Sequence, residues 1–200
     1  MINLNSENGA DAILLDLARE IRNTKKQGIV GVEFGIAYGG GVEAIGKIWQ
    51  DCGIVYGYDT FGDKFPILFP DSQDMSNMHM ARHYAKHGEE QLSYDYQRGE
   101  LDRQGLDNVV LRKGLVALGC TQDIPYFDYA LIDLDHLESN KVAYEEVNHK
   151  IREGGYLCYH DYNHLGNEAF IHDVIFADKR WQETEYPGSY LLVLKRIASA

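Results

Sequence analysis

The stretch Ile29-Val-Gly-Val-Glu-Phe-Gly-Ile-Ala-Tyr-Gly-Gly-Gly41 decides how the rest of the chain is read. It opens on β-branched residues (Ile29, Val30, Val32), passes Gly35, reaches three consecutive glycines and continues with helical spacing. Glycine lets the backbone take positive φ and approach a ligand closely. Strand, Gly-rich loop and helix in that order therefore predict a nucleotide-type cofactor site. About 20 residues further on, a second apolar run, Ile54-Val-Tyr-Gly-Tyr58, ends in Asp59. An acid at the tip of the second strand is where such a fold holds ribose hydroxyls. Either feature alone is common; their order and spacing make cofactor binding the leading expectation.

The chain has 200 residues, enough for one domain with a full-sized core over 1–200. Its apolar content of 44% suits neither a disordered nor a membrane class. No apolar run is long enough to span a bilayer, and Met-Ile-Asn-Leu-Asn-Ser-Glu lacks the basic and apolar regions of a signal peptide. A cytoplasmic protein is the default expectation. Cys52, Cys120 and Cys158 are widely spaced and odd in number, which predicts free thiols rather than a disulfide or zinc site. A formal net charge of −12 argues against nucleic acid as partner.

Taken in order, residues 10–26 predict an amphipathic helix, with Ile13, Leu14, Leu17, Ala18 and Ile21 on one face. A second helix runs through Val42, Ala44, Ile45, Ile48 and Trp49, and strand two reaches Asp59. Residues 60–90 break the rhythm with Phe61, Phe65, Phe69 and two prolines, and predict a lid or pocket wall. His79, His83 and His87 fall on one helical face there, a solvated or partner-facing stripe before a metal site. A helix over 89–104 follows, then strands at Asn108–Arg112 and Phe127–Asp133. Ala143, Val147 and Ile151 recur every four residues along a helix that Gly154-Gly155 ends. Strand five is Tyr156–Tyr159, and a helix over roughly 166–178 comes next. Trp181–Tyr186 and Ser189–Lys195 are joined too closely for a parallel crossover, so they form an antiparallel hairpin. The expected fold is α/β: a Rossmann-like doubly wound sheet, mostly parallel, with an antiparallel C-terminal strand.

That topology, with Glu33-x-Gly35-x-Ala37-x-Gly39 and Asp59, resembles the class I S-adenosylmethionine-dependent methyltransferases over residues 29–195. The nearest resemblance is to the macrocin O-methyltransferase group, which methylates hydroxyls of sugars and related natural products. Its motifs stand here as Val32–Gly40, Tyr58-Asp-Thr-Phe-Gly62, Ile132-Asp-Leu-Asp135 and Gly154-Gly-Tyr-Leu-Cys-Tyr-His-Asp-Tyr162. Two positions depart from the group: Gly39-Gly-Gly41 where a serine is usual, and His160 for the first acid of Asp-Asp-Tyr.

The resemblance implies S-adenosyl-L-methionine as cofactor. Glu33 would face its methionine end, the backbone of Gly35, Ala37, Tyr38, Gly39 and Gly41 its close approach, and Asp59 with Thr60 its ribose. Gly114 would flank the adenine. A divalent metal, magnesium or manganese, would be held by Asp133, His160 and Asp161, with Asp133 also bordering the cofactor. Asp135 would be the general base, with His136 as its rival. The bland alternative is that Asp133 and Asp161 cap helices. An imidazole ligand shifts preference toward manganese and, at its ordinary pKa, sets an acid limb near pH 6. The expected partner is a small hydroxylated molecule; neither nucleic acid nor a membrane is expected, and a homo-oligomer stays open. Two competing readings are a nicotinamide-dependent oxidoreductase and a catalytically silent cofactor-binding protein.

Overall fold

The computed structural model describes residues 9–62, 88, 90–162, 167–184 and 190–198. The predicted lid, apart from its ends, lies outside the described residues, as do Phe65, Phe69, the His79–His83–His87 stripe and the Pro187-Gly188 turn.

Helix α1 (Ala10–Lys25) precedes strand β1 (Ile29–Phe34), helix α2 (Gly40–Trp49) and strand β2 (Gly53–Asp59). After a 3₁₀ turn at Glu90–Leu92 come helix α3 (Tyr94–Arg103), strand β3 (Val109–Lys113) and strand β4 (Phe127–Ile132). Helix α4 (Leu137–Val147), strand β5 (Ile151–His160) and the short helix α5 (Asn167–Phe170), which runs into a π-helical turn at Ile171–Ile175, follow. Strands β6 (Trp181–Thr184) and β7 (Leu191–Arg196) close the chain. The strands form one seven-stranded sheet in the order β3-β2-β1-β4-β5-β7-β6. The first five are parallel; β7 pairs antiparallel with β5, and β6 antiparallel with β7. The expected architecture, parallel with an antiparallel C-terminal strand, is the one observed.

Central strands read as unbroken apolar runs because both faces of the sheet are covered. Every residue of β4 is buried, and alternate side chains go to opposite layers. Tyr129 and Leu131 pack with α1 and α2, among Leu14, Leu17, Ile45 and Trp49. Ala130 and Ile132 pack with Ala143, Tyr144 and Val147 of α4, and with Ile171 and Ile175. Trp49 lies across β1, where a side chain on Gly31 would begin 2.6 Å from its ring, and its Nε1 donates to Ala18 O at 2.9 Å. Among the described residues no helix is long and apolar enough to cross a membrane.

Three segments differ from the sequence expectation. Ile151 opens β5 instead of continuing the helix, and Gly154-Gly155 lies inside that strand. Phe127 pairs with Ile151 but Tyr129 with Tyr156, so residues 152–155 bulge out of register. The bulge turns Arg152 back onto Asp128, a carboxylate with no exposure, with Nε donating to Oδ1 at 2.9 Å. A fully buried carboxylate needs such a partner, and this one outweighs the four-residue apolar spacing. The helix expected over 89–104 starts properly only at Tyr94, where Ser93 caps it by accepting from Tyr96 N. The helix expected over 166–178 is four residues long before it widens into the π turn.

The end of β1 meets the segment after β4 at Gly35, which has φ +86; a Cβ there would sit 1.9 Å from the carbonyl oxygen of Asp133. Gly35 N donates to Tyr58 O and Asp133 N to Phe34 O, so β2, β1 and β4 are laced together at this point. Gly35→Ala is expected to cost at least about 3 kcal/mol: roughly 1–2 from the left-handed backbone, and the remainder from displacing a backbone carbonyl. Gly105→Ala has a similar φ of +67 but nothing within 4 Å. It should lose only the backbone part, about 1–2 kcal/mol. Urea unfolding of both variants tests this; equal losses would mean that the contact with Asp133 is unimportant.

Candidate functional site

Three loops at the carboxyl ends of the parallel strands carry the predicted residues. Each contains a non-glycine residue in the left-handed region: Ala37 after β1 (φ 47), Phe61 after β2 (φ 54) and Asp161 after β5 (φ 51). Such conformations cost on the order of 1–3 kcal/mol and persist where surrounding bonds enforce them.

At Ala37 those bonds are explicit. Its N–H donates to Asp59 Oδ2 at 2.9 Å, and its carbonyl accepts from Gln97 Nε2 at 2.6 Å. Asp59 Oδ1 accepts from Phe61 N at 3.0 Å, with the Thr60 hydroxyl at 3.4 Å. Asp59 therefore latches the Gly-rich loop to the end of β2. Burial pushes its carboxyl up, against the backbone N–H bonds that pull it down. Gln97, in α3, is a functional residue the sequence reading missed. Its carbonyl oxygen lies 2.7 Å from where a side chain on Gly39 would begin, which explains glycine there. Gly114, at φ +150, donates its N–H to Asp59 O, so the β3 turn also closes on the same acid. Phe61, a candidate pocket wall, is instead buried and stacks edge-on with Tyr94. Tyr38 is half-buried in the loop itself.

Glu33 is 3% exposed, under the start of α2, with Oε2 only 2.6 Å from where a side chain on Gly41 would begin. This contact accounts for glycine where the resembled group has a serine nearby. The Tyr129 hydroxyl donates to Glu33 Oε1 at 3.4 Å. Burial raises the carboxyl to about 8, with Asp133 and Asp11 adding to the rise and the Tyr129 bond opposing it. A small cavity beside it is lined by Asp11, Leu15, Gly41 and Ile45. Asp11, in the first turn of α1, was read from sequence only as a helix residue. Its carboxyl is pushed up by burial, while His160 lowers it and Asp133 raises it, so α1 begins beside the acidic end of the sheet.

Asp133, His160 and Asp161 converge. One ligand atom from each lies within 4.8 Å of the others. His160 Nδ1 is 3.3 Å from Asp133 Oδ1 and 3.3 Å from Asp161 Oδ2. It is a buried atom set between the two carboxylates, close enough for both to act on it. The two carboxylates, Asp133 foremost, raise His160 to about 10 against the opposing effect of burial. With no ion between them, the two carboxylates hold the imidazole proton far more tightly than an ordinary imidazole holds its own. Asp133 and Asp161 keep 43% and 46% of their side chains exposed, so the cluster opens to solvent.

Asp135 and His136 follow in the short segment before α4. Asp135 is exposed and is not one of the clustered ligands. His136 precedes the helix in an extended conformation; its carbonyl accepts from Asn140 N at 2.9 Å, and its imidazole makes no capping bond. The Asp133 carboxylate faces His160, and the residue at the N-cap of α4 is His136; capping alone does not describe Asp133.

Neither a protein-family model nor a curated protein matches the sequence. Solved structures do match in fold. The O-methyltransferase NovP superposes with a TM-score of 0.74 at 16% identity, over 94% of this chain and 80% of its own. CalS11, a calicheamicin methyltransferase, gives 0.69 at 19% identity, over 96% and 82%. An O-methyltransferase from Bacillus cereus in complex with SAH gives 0.61 at 16% identity, over 92% and 81%. At these identities the likeness is one of fold.

Glu33 gives a pH prediction. Its folded pKa lies above the ordinary 4.5, so the folded state holds the extra proton between about 4.5 and about 8. Stability is thus fully present below the lower value and falls as pH rises through the upper one, by about 1.4 kcal/mol per pH unit. Glu33→Gln should remove that slope. Urea unfolding of both proteins at pH 5, 6, 7 and 8 checks it: parallel stability profiles would mean that Glu33 is ionised throughout.

Proposed function

We propose that the protein is an S-adenosylmethionine-dependent O-methyltransferase, assisted by a divalent cation and acting on a hydroxyl of a small molecule such as a sugar or natural-product intermediate. The observation that carries this reading is the convergence of Asp133, His160 and Asp161 at the ends of β4 and β5, beside a Gly-rich loop. The fold shared with NovP, CalS11 and a methyltransferase crystallised with SAH supports it. The antiparallel β7 speaks against a nicotinamide domain, whose sheet ends in another parallel crossover.

The residues fit both groups. An imidazole nitrogen and two carboxylates converging on one point are a donor set suited to a divalent cation, which would displace the imidazole proton on binding. Mixed nitrogen and oxygen ligands favour manganese over magnesium. A bound cation supplies Lewis acidity that makes a nearby hydroxyl a better nucleophile. S-adenosylmethionine supplies the methyl group, carried on a sulfonium.

Around these groups the chain's own residues bind and align. The loop from Gly35 to Gly41, gripped at Ala37 by Asp59 and Gln97, is held ready for close approach instead of being ordered by the ligand. Asp59 keeps acceptor capacity for ribose hydroxyls beyond its two backbone bonds, because a carboxylate offers about four lone-pair sites. Thr60 and Gly114 flank it. Glu33, Tyr38 and Asp133 border the methionine end. Asp135, exposed next to the ligand cluster but outside it, takes the acceptor's proton. His136, at the N-cap of α4 with its imidazole outside the helix bonding, is the rival base.

Calorimetry with S-adenosylmethionine, SAH and NAD should show heat with the first two only; the reverse pattern would overturn this reading. Asp135→Asn is expected to keep SAH and Mn²⁺ binding while methyl transfer to a panel of sugar and phenolic hydroxyls drops by ~10²–10⁴. Asp133→Asn should lose Mn²⁺. If Asp135→Asn abolishes Mn²⁺ binding instead, the roles of the two acids are exchanged.

A further inference from the structure

We infer that Asn140 and Asn167 are a positioning pair that fixes the distance between the two halves of the acidic cluster. The two halves come from separate segments: Asp133 follows β4, whereas His160 ends β5 and Asp161 follows it. The β4–β5 ladder ends at Ile132 opposite Tyr159; Asp133 is still bonded to Phe34 O of β1 and His160 still pairs with Leu191 of β7, but the β4–β5 pairing itself does not join the two. Beyond that point the two segments are tied through side chains. Asn140 Nδ2 donates to Leu134 O at 3.0 Å and to Asn167 Oδ1 at 3.0 Å. Leu134 lies between Asp133 and Asp135, while Asn167 begins α5, the first helix after Asp161.

The chemistry fixes the orientation of both amides. A peptide carbonyl only accepts, so the nitrogen of Asn140 must face Leu134. The second hydrogen of that nitrogen is then directed at Asn167, which must present its oxygen. Both residues are 2% exposed. Two buried amides that bond each other contribute little more stability than well-packed apolar residues of like shape. Apolar neighbours are at hand: Tyr144 of α4 stacks edge-on with Phe170 of α5 at 5.7 Å. Packing alone would thus be served by an apolar pair. What the amides add is direction, since a single nitrogen holds the acidic loop and the start of α5 at fixed distances. Partners of this kind, one step behind a ligand, tune a metal site without touching the metal.

The metal role of the cluster rests on the proposed function; the tie between the segments does not. The test uses the whole protein and three measurements: titration with Mn²⁺ alone, titration with SAH, and amide hydrogen exchange over residues 133–136 without metal. Asn140→Asp puts an acceptor against two acceptors, so Mn²⁺ affinity should fall about tenfold or more. Exchange over 133–136 should accelerate and SAH affinity stay within about twofold, because the cofactor loop is gripped elsewhere. Asn167→Asp keeps the accepting oxygen and should retain Mn²⁺ affinity within about threefold. Should Asn140→Asp not fold, Asn140→Ala removes the donor without adding a charge and replaces it in the comparison. Unchanged exchange and Mn²⁺ binding in the Asn140 variant would overturn the inference. So would equal damage from Asn167→Asp, the mark of a general burial effect. If the wild type takes up no Mn²⁺, the cation reading falls, and the exchange rates alone decide whether the pair positions the loop.

Discussion

The contact between Gly35 and the carbonyl of Asp133 is the constraint on which the rest of the site depends. With no side chain at residue 35, the end of β1 can lie against the end of β4 closely enough for Asp133 N to bond Phe34 O. The same approach sets where the Gly-rich loop leaves the sheet and where Asp133 leaves it. The Gly-rich loop and the acidic cluster therefore share one origin, and a shift at this crossing would move both. Sites built at the carboxyl ends of parallel strands owe their precision to such closeness of neighbouring ends.

Charge is arranged around that crossing in two different ways. Glu33, wholly enclosed, is kept neutral by its surroundings. A few residues away, Asp133 and Asp161 stay open to solvent and share the imidazole of His160. One acid is silenced by burial and two are balanced by a cation, so the same residue chemistry yields a neutral wall and a polar centre within one fold. Backbone strain follows the same map: among the described residues, three of the four non-glycine residues with positive φ lie just past strand ends at the site.

Much of this was legible in the sequence because it is local. Ile29, Val30 and Val32 followed by glycines mark a strand and loop; Asp59 and Asp133 are recognisable as acids at strand tips; the shortness of the link between the last two strands predicts their antiparallel pairing. The meeting of Asp133 with His160 and Asp161 also follows from topology, once strands four and five are neighbours. What escaped is held by contacts distant along the chain. Ile151 has helical spacing with Val147, yet Arg152 is drawn to buried Asp128 and the segment becomes a strand with a bulge. Gln97 is one polar residue in a polar helix, and nothing near it announces that its amide reaches Ala37. Asn140 and Asn167 look like ordinary polar helix starts until the fold buries them against each other. Asp11 has the composition of a first-turn acid and acquires its neighbours only when α1 docks.

The order of pairing along the sheet also has a kinetic consequence. β1 pairs with β2 and β4 with β5 over short stretches of chain, but β1 meets β4 across about 100 residues, Gly31 opposite Tyr129. Closing so long a loop is the entropically expensive step, and it is repaid only when both halves already present apolar faces. This pairing thus divides the sheet into two parts, one bearing the Gly-rich loop and Asp59, the other bearing Asp133, His160 and Asp161. Neither half contains a complete site. The joining of β1 to β4 therefore decides when the Gly-rich loop and the acidic cluster come to lie at one end of the same sheet.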